Sequence, residues 1–445
     1  MRIFLITSAI PDPKRQAIHI VLDTVIREAL RQGHKIVYQH IFPRTKLHDD
    51  AQLAELKAVE RLGVEVLPPL GLQSNSSSAQ FTAGGRLKRF FGNNLSTFYP
   101  ETALEPEVSR RVKTSAADAV FIFWNQEGLA AAYGLKGTPK FVYYGMPDDA
   151  ASAARYKYPE LFDIPHKTLK EKARLLAWQW ENRTRGKCHL KLMLDCQAVS
   201  NLSSWHAQWY AKSGHPRSLY IQNIWPDTSQ GRWGTSPEKE KARPFKILAS
   251  VGRPFSTGNT FGLHYLGTQI LPLLREKLGA GAFELHICGR GEATSAAAES
   301  LRGSEVKWRG WVPDIDEEIR SAHLFLITNN TGFYKGAHTR FLHAWSLGSC
   351  VVAHTVNTRY MPEIRHGHNT LLGSSPEEIS DWVVKALYDP ELRKRIGEGG
   401  RRTYEEIFTP PTVVSKILQE LQRCAGGSLM VPTTNLKTER SYQPQ

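Results

Sequence analysis

An apolar run at residues 322–327 is followed by a turn of Asn329, Asn330, Thr331 and Gly332. Apolar residues then recur at helical spacing, at Phe341, Leu342, Ala344, Trp345 and Leu347, before a second apolar run at 350–353. Gly348 stops the helix between them. Strand, loop, helix and strand make a βαβ unit, and such a unit commits its two strands to a parallel sheet covered by helices. Where Gly336, Ala337, His338 and Thr339 enter the helix, the first N–H groups lack intrahelical acceptors and the helix dipole is positive, which favours a phosphate. The charges agree: no carboxylate occurs between Glu318 and Glu363, whereas Lys335, Arg340 and Arg359 do.

The same alternation runs through the chain. Strands are expected at 2–9, 35–40, 64–67, 117–124, 140–144, 197–200 and 219–222, with helices at 18–30, 51–62 and 169–180 among them. A second series follows, with strands at 245–250, 283–288 and 306–308 and helices at 261–274, 315–321, 376–388, 391–404 and 411–424. A chain of 445 residues is too long for one ordinary core. The expected layout is a first Rossmann-like domain at 1–225, a linker at 226–243 and a second Rossmann-like domain at 244–403. A last helix at 404–425 and a polar, disordered tail at 426–445 complete it. The fold class is α/β, two parallel-sheet domains facing a central cleft, and sites in such sheets lie beyond the carboxyl ends of strands. Polar residues there are Lys14 and Arg15 in the first loop, Asn125 and Glu127 after the fourth strand, and Tyr144 and Asp148 at and after the fifth. In the second domain Gly252 and Arg253 follow the first strand, and Gly289, Arg290 and Gly291 follow the next. Glycine lets a ligand approach the backbone, and arginine supplies a fixed charge.

The net charge of +14 is concentrated at 155–217, where twelve basic residues face five acidic ones. This suits an anionic partner. Within that span Leu169, Ala173, Leu176 and Trp180 align on one helix face, with Lys170, Lys172 and Arg174 elsewhere on the helix. A serine-rich loop at 73–83 leads to a second basic, aromatic stretch (Arg86, Lys88, Arg89, Phe90, Phe91), which suggests peripheral contact with an anionic membrane. No run approaches the length of a membrane span. Five scattered cysteines fit a reducing cytosol, and none has a partner at zinc spacing, so no metal is assigned. No nucleic-acid reader module accompanies the charge, so nucleic acid is not expected as a partner. No Gly-x-Gly-x-x-Gly follows either opening strand, which argues against NAD-dependent oxidoreduction.

Several segments occur together in a recognisable order: Ser250-Val251-Gly252-Arg253, Leu285-His286-Ile287-Cys288-Gly289-Arg290-Gly291, Val306-Lys307-Trp308-Arg309-Gly310-Trp311-Val312 and Met361-Pro362-Glu363-Ile364. With Gln197-Ala198-Val199-Ser200 and Ile221-Gln222-Asn223 in the first domain, the chain resembles the nucleotide-sugar glycosyltransferases of the two-Rossmann-domain GT-B fold, specifically family 4 (group 1). The resemblance implies transfer of a sugar from a UDP- or GDP-linked donor, with retention of configuration and without a metal or other cofactor. It implies that the second domain holds the donor, the first holds the acceptor, and the last helix crosses back to the first domain. Arg253 would neutralise the departing diphosphate, assisted by Arg340 and the N–H groups of residues 336–339, while Trp311 and Val312 would lie near the base. The family's lysine near Arg253 has no counterpart, since Gly258, Asn259 and Thr260 occupy that region. Its pair of glutamates eight positions apart is replaced by Lys335, placed to touch phosphate, and by His343, able to hydrogen-bond a ribose hydroxyl.

The acceptor is a glycan, a lipid-linked sugar or a small molecule on this resemblance, and the expected location is cytoplasmic or at the inner membrane face. The alternative, raised by the missing glutamates, is a degenerate GT-B protein that binds nucleotide or glycan as a partner subunit.

Overall fold

The structure is a computed structural model. It describes residues 1–15, 17–42, 50–72, 95–145, 147–234, 237–250, 252–279, 281–329, 336 and 338–426. Lys335, Ala337, Val251, the stretch at 86–91, the serine-rich loop and the tail beyond 426 lie outside the described residues.

Two parallel sheets form. The first contains β1 (Arg2–Thr7), β2 (Lys35–His40), β3 (Glu65–Val66), β4 (Ala119–Phe123), β5 (Lys140–Tyr144), β6 (Ala198–Asn201) and β7 (Ser218–Tyr220), in the order β3-β2-β1-β4-β5-β6-β7. The second contains β8 (Phe245–Ser250), β9 (Phe283–Cys288), β10 (Val306–Gly310), β11 (Leu324–Ile327), β12 (Val351–His354) and β13 (Leu371–Gly373), in the order β10-β9-β8-β11-β12-β13. Both orders reverse beside the first strand of their sheet, where β1 meets β4 and β8 meets β11, and such a switch point opens a crevice at the strand ends. Central strands such as Ala119–Phe123 are buried along their whole length, the signature of a sheet covered on both faces.

Helix Pro410–Ala425 buries Val413, Val414, Ile417, Leu418 and Leu421 in the core of the first sheet, against Val21, Leu22 and Val25 of helix Ala17–Arg31. Tyr404 donates to the Trp225 carbonyl (2.8 Å), and Glu363 accepts from Tyr220 Oη (2.8 Å) and Gln222 Nε2 (2.9 Å), so the domains are tied where the chain passes between them. The stretch between the domains lies against the second one. Asp227 pairs with Arg401 (2.6 Å), and the Gly234 N–H donates to the Leu347 carbonyl (3.0 Å). Residues Pro237–Lys241 form a short helix in it.

A second tie bridges the domains. Helix Asp148–Lys157 and the 3-10 turn Pro159–Phe162, neither of them expected from the sequence, reach the second domain. Tyr158 and Phe162 meet the ring of Phe261 edge-on at 5.5 and 5.4 Å, and the Asp163 carboxylate accepts from the Ser295 N–H (3.0 Å) at the start of helix Ser295–Ser300.

Candidate active site

The loops that follow β8, β9 and β11 converge beside the start of helix Thr339–Ser346. Three positions here favour glycine, all by positive φ and two also by close contact. Gly289 has φ +149°, and a Cβ there would overlap the Gly252 carbonyl. Gly252 has φ +108°, and a Cβ there would touch Arg340 Nη2 at 3.6 Å and Asn259 Nδ2 at 3.7 Å. A Cβ on Gly291 would meet the Phe255 ring at 2.7 Å. Gly252 thus brings the loop after β8 up to Arg340 in the first turn of the helix, and Gly289 packs the loop after β9 against it.

Asn259 joins the pieces. Its side chain is 1% exposed; Nδ2 donates to the Arg253 carbonyl (2.6 Å), and Oδ1 accepts from Asn329 Nδ2 (2.6 Å) and from the Arg340 guanidinium. One neutral amide thus fixes the loop after β8, the end of β11 and the first helical turn's arginine, and it adds no negative charge. An amide oxygen carries no net charge, so the Asn259 contact holds Arg340 without neutralising it. The sequence signal for Asn259 was negative, a gap where a lysine is usual, and its three partners lie up to 81 residues away.

Arg253 is exposed above the face of Phe255, 5.9 Å from the ring centroid. Gly336 and His338 are buried, and Thr339 and Arg340 half-buried, at the start of the helix. Burial, reinforced by the Arg340 charge, holds the His338 pKa well below the usual imidazole value, so this side chain is neutral and the cations here are arginines. Trp311 is 59% exposed, with the Arg290 guanidinium 5.2 Å from its ring centroid, whereas Val312 is half-buried against the same apolar cluster of the second domain that Ala17 and Ile20 of the first domain reach.

His343 differs from expectation. Its Nε2 is 2.5 Å from Asp316 Oδ1, its ring lies 4.8 Å from that of Trp225, and it is buried. Burial opposes ionisation of Asp316, but hydrogen bonds from His343 and Thr228 and the His343 and Arg320 charges outweigh it and hold the pKa below the usual carboxylate range. A carboxylate thus does stand beside this helix, contributed by helix Ile315–Ser321 and not by the helix itself. It was invisible in sequence because the two residues are 27 positions apart.

The acceptor-side candidates divide. Arg15 pairs with Glu55 and with Asp12 (3.1 Å), and the Lys14 N–H donates to Asp12 Oδ1 (2.8 Å). Glu127 accepts from Ser8 Oγ (3.2 Å) at the mouth of the first-domain crevice. Asn125 and Tyr144, expected to grip substrate, instead serve the fold. Asn125 is buried, caps helix Gln126–Ala131 through Gly128 N (2.8 Å) and donates to Thr7 Oγ1 (2.9 Å). Tyr144 is buried beside His189, with ring centroids 5.1 Å apart. Asp148 opens helix Asp148–Lys157 next to the inter-domain bridge.

Among the described residues no group of three or more His, Cys, Asp or Glu could hold a metal ion, and no helix is long and apolar enough to cross a membrane. All five cysteines are unpaired.

No curated protein matches the chain in a sequence search. Among solved structures, a glycosyltransferase from Rickettsia africae superposes with a TM-score of 0.59 at 12% identity, over 96% of this chain and 99% of that one. HepE from Anabaena, in complex with UDP and glucose, gives 0.57 at 14% identity, over 94% and 99%. TarM from S. aureus, in complex with UDP, alpha-GlcNAc-glycerol and Fondaparinux, gives 0.57 at 11% identity, over 94% and 99%. Residues 245–389, the segment that carries the Gly252, Asn259 and Arg340 cradle, match the family model for group 1 glycosyl transferases. The chain has the GT-B fold over the 94–96% of its length that these structures cover, and residues 245–389 match the group 1 glycosyl transferases.

Proposed function

We propose that the protein transfers a sugar from a nucleotide diphosphate, most simply UDP, to a hydroxyl of a glycan, lipid-linked or small-molecule acceptor. The observation that carries this is the cradle in which Gly252, the Asn259 amide and Arg340 meet the start of helix Thr339–Ser346, within the segment matched to group 1 glycosyl transferases. HepE and TarM hold UDP in their structures, which supports the choice of base.

In this scheme the bond from the anomeric carbon to the β-phosphate oxygen breaks with its electron pair staying on the diphosphate, the acceptor oxygen bonds to that carbon, and the acceptor's hydroxyl proton passes to the released diphosphate. Charge therefore grows on the leaving group in the transition state. Arg253, Arg340 and the N–H groups at the helix start stabilise that charge, a contribution worth about two orders of magnitude in rate per donor. Trp311 offers a flat, exposed ring for the base, and the Arg290 cation lies against it. Lys335 is assigned to phosphate, and retention without metal assistance is part of the same proposal. The acceptor enters from the first domain, past Glu127 and Ser8.

Thermal unfolding with UDP, GDP, NAD or no ligand tests this first. A nucleotide at about 100 times its dissociation constant adds about 2.7 kcal/mol of stability. A shift with UDP, followed by turnover of a UDP-sugar, is expected. A shift without turnover favours a binding subunit, and a shift with NAD alone overturns the proposal.

A further inference from the structure

Helix Leu169–Leu194 opens with a capping box: Thr168 Oγ1 accepts from Glu171 N (3.2 Å), and Glu171 Oε2 accepts from Thr168 N (2.9 Å). Its first half packs on helix Asp148–Lys157 through Trp178, whose ring centroid is 5.6 Å from that of Tyr156, and through Gln179, which donates to the Tyr156 carbonyl (2.8 Å). At about 100° per residue, the opposite face carries Leu169, Ala173, Leu176 and Trp180. That apolar face turns outward. Leu169 is 87%, Leu176 66% and Trp180 51% exposed. Three large apolar side chains in line along about 16 Å of helix mark a binding surface.

The surrounding charge selects the partner. The helix carries seven Lys and Arg against two Glu. Lys172 and Arg183 flank the apolar stripe on one side, Lys170 on the other, and Lys187 continues it toward the carboxyl end. An apolar stripe bordered by cations fits an anionic lipid surface, where the leucines enter the acyl boundary, the tryptophan sits at headgroup depth and the long basic side chains reach the phosphates. A second copy of the chain would instead bring the same cations against themselves.

We propose that the 169–180 face docks the protein on an anionic bilayer. The docked helix lies one helix away from the cleft, because Asp148–Lys157, which it covers, continues into the turn that packs on Phe261, two residues from Asn259. Docking therefore brings the cleft close to the lipid surface and selects a lipid-linked acceptor among the classes open above. The docking itself does not rest on the transferase reading.

The test is co-sedimentation with vesicles of phosphatidylcholine alone and of phosphatidylcholine with phosphatidylglycerol. The wild type is expected in the pellet with phosphatidylglycerol and in the supernatant without it. The double variant Leu169→Ser, Leu176→Ser should bind at least about tenfold more weakly, and Lys172→Glu with Arg183→Glu should lose about fivefold for each cation removed. Amide hydrogen exchange on the unaltered protein should slow at residues 169–180 when anionic vesicles are added. The UDP-induced thermal shift, which reads the donor cradle, should be the same in every variant. Equal pelleting of wild type and both variants, or exchange protection confined to other segments, overturns the proposal. So does a dimer in solution that the leucine variant dissociates while vesicles leave the wild type unaffected.

Discussion

The two domains place a loop with arginine at the same point of their topology, after the first strand and before the first helix, and treat the cation in opposite ways. After β1, Arg15 is met by Asp12 and Glu55. After β8, Arg253 stands exposed, and its neighbour Arg340 rests on the Asn259 amide. A carboxylate partner offsets a cation's field at a ligand, whereas an amide partner adds no counter-charge. Equivalent position therefore does not mean equivalent role. The difference is set by which residues the neighbouring helices bring, Glu55 in one domain and Asn259 in the other.

The comparison breaks most clearly in turnover. Arg253→Ala and Arg340→Ala should each lower kcat by about a hundredfold, while Arg15→Ala should leave steady-state transfer within about twofold. Equal losses at all three would mean that the loop after β1 also carries charge to substrate. Asn259→Asp makes the second loop resemble the first by placing a carboxylate on Arg340. Calorimetric affinity for UDP should fall about tenfold, and affinity for uridine should not change. Asn259→Leu, which removes the hydrogen bonds without adding charge, separates positioning from neutralisation: a loss for uridine as well would mark a general collapse.

Stability against pH probes both domains. Burial pushes His40 of the first domain and His323 of the second down to about 4, and lowers His338 well below its usual value. The unfolded chain then binds more protons than the native one below the ordinary histidine pKa of about 6.5, so stability present at neutral pH is lost as pH falls toward 4. Calorimetric unfolding between about pH 7 and pH 5 should show the midpoint falling, and His323→Phe should flatten the slope. The smallest effect is expected at Glu55→Gln. Freeing Arg15 should cost no more than about 1 kcal/mol in chemical denaturation, as for other partly exposed ion pairs.

The architecture was legible because apolar runs and helical spacing are local. Phe283–Cys288 and Val351–His354, for example, declare themselves as buried parallel strands from their own residues. Helix Asp148–Lys157 was not legible. Its sequence, DDAASAARYK, has almost no apolar face, and the aromatic contacts that tie this region to the second domain come from Tyr158 and the turn that follows. In the site, glycine and arginine in the loops were visible as residue types. Their connection through Asn259 was not, nor was the carboxylate that Asp316 brings to His343, because each contact joins elements distant in sequence. The outward face of helix Leu169–Leu194 shows the same limit. Spacing reveals a stripe, and only packing shows which side of the helix the core has claimed.

Helix Pro410–Ala425 has a consequence for how the molecule comes into being. Its five buried apolar side chains complete a core whose other members begin at Ile3 and end at Ile224. A ribosome releases the chain from its amino end, so that first domain waits with Val21, Leu22 and Val25 uncovered until translation has passed Leu421. The half of the protein that is made first is the half that closes last. In the interval its open flank is a natural site for chaperone capture.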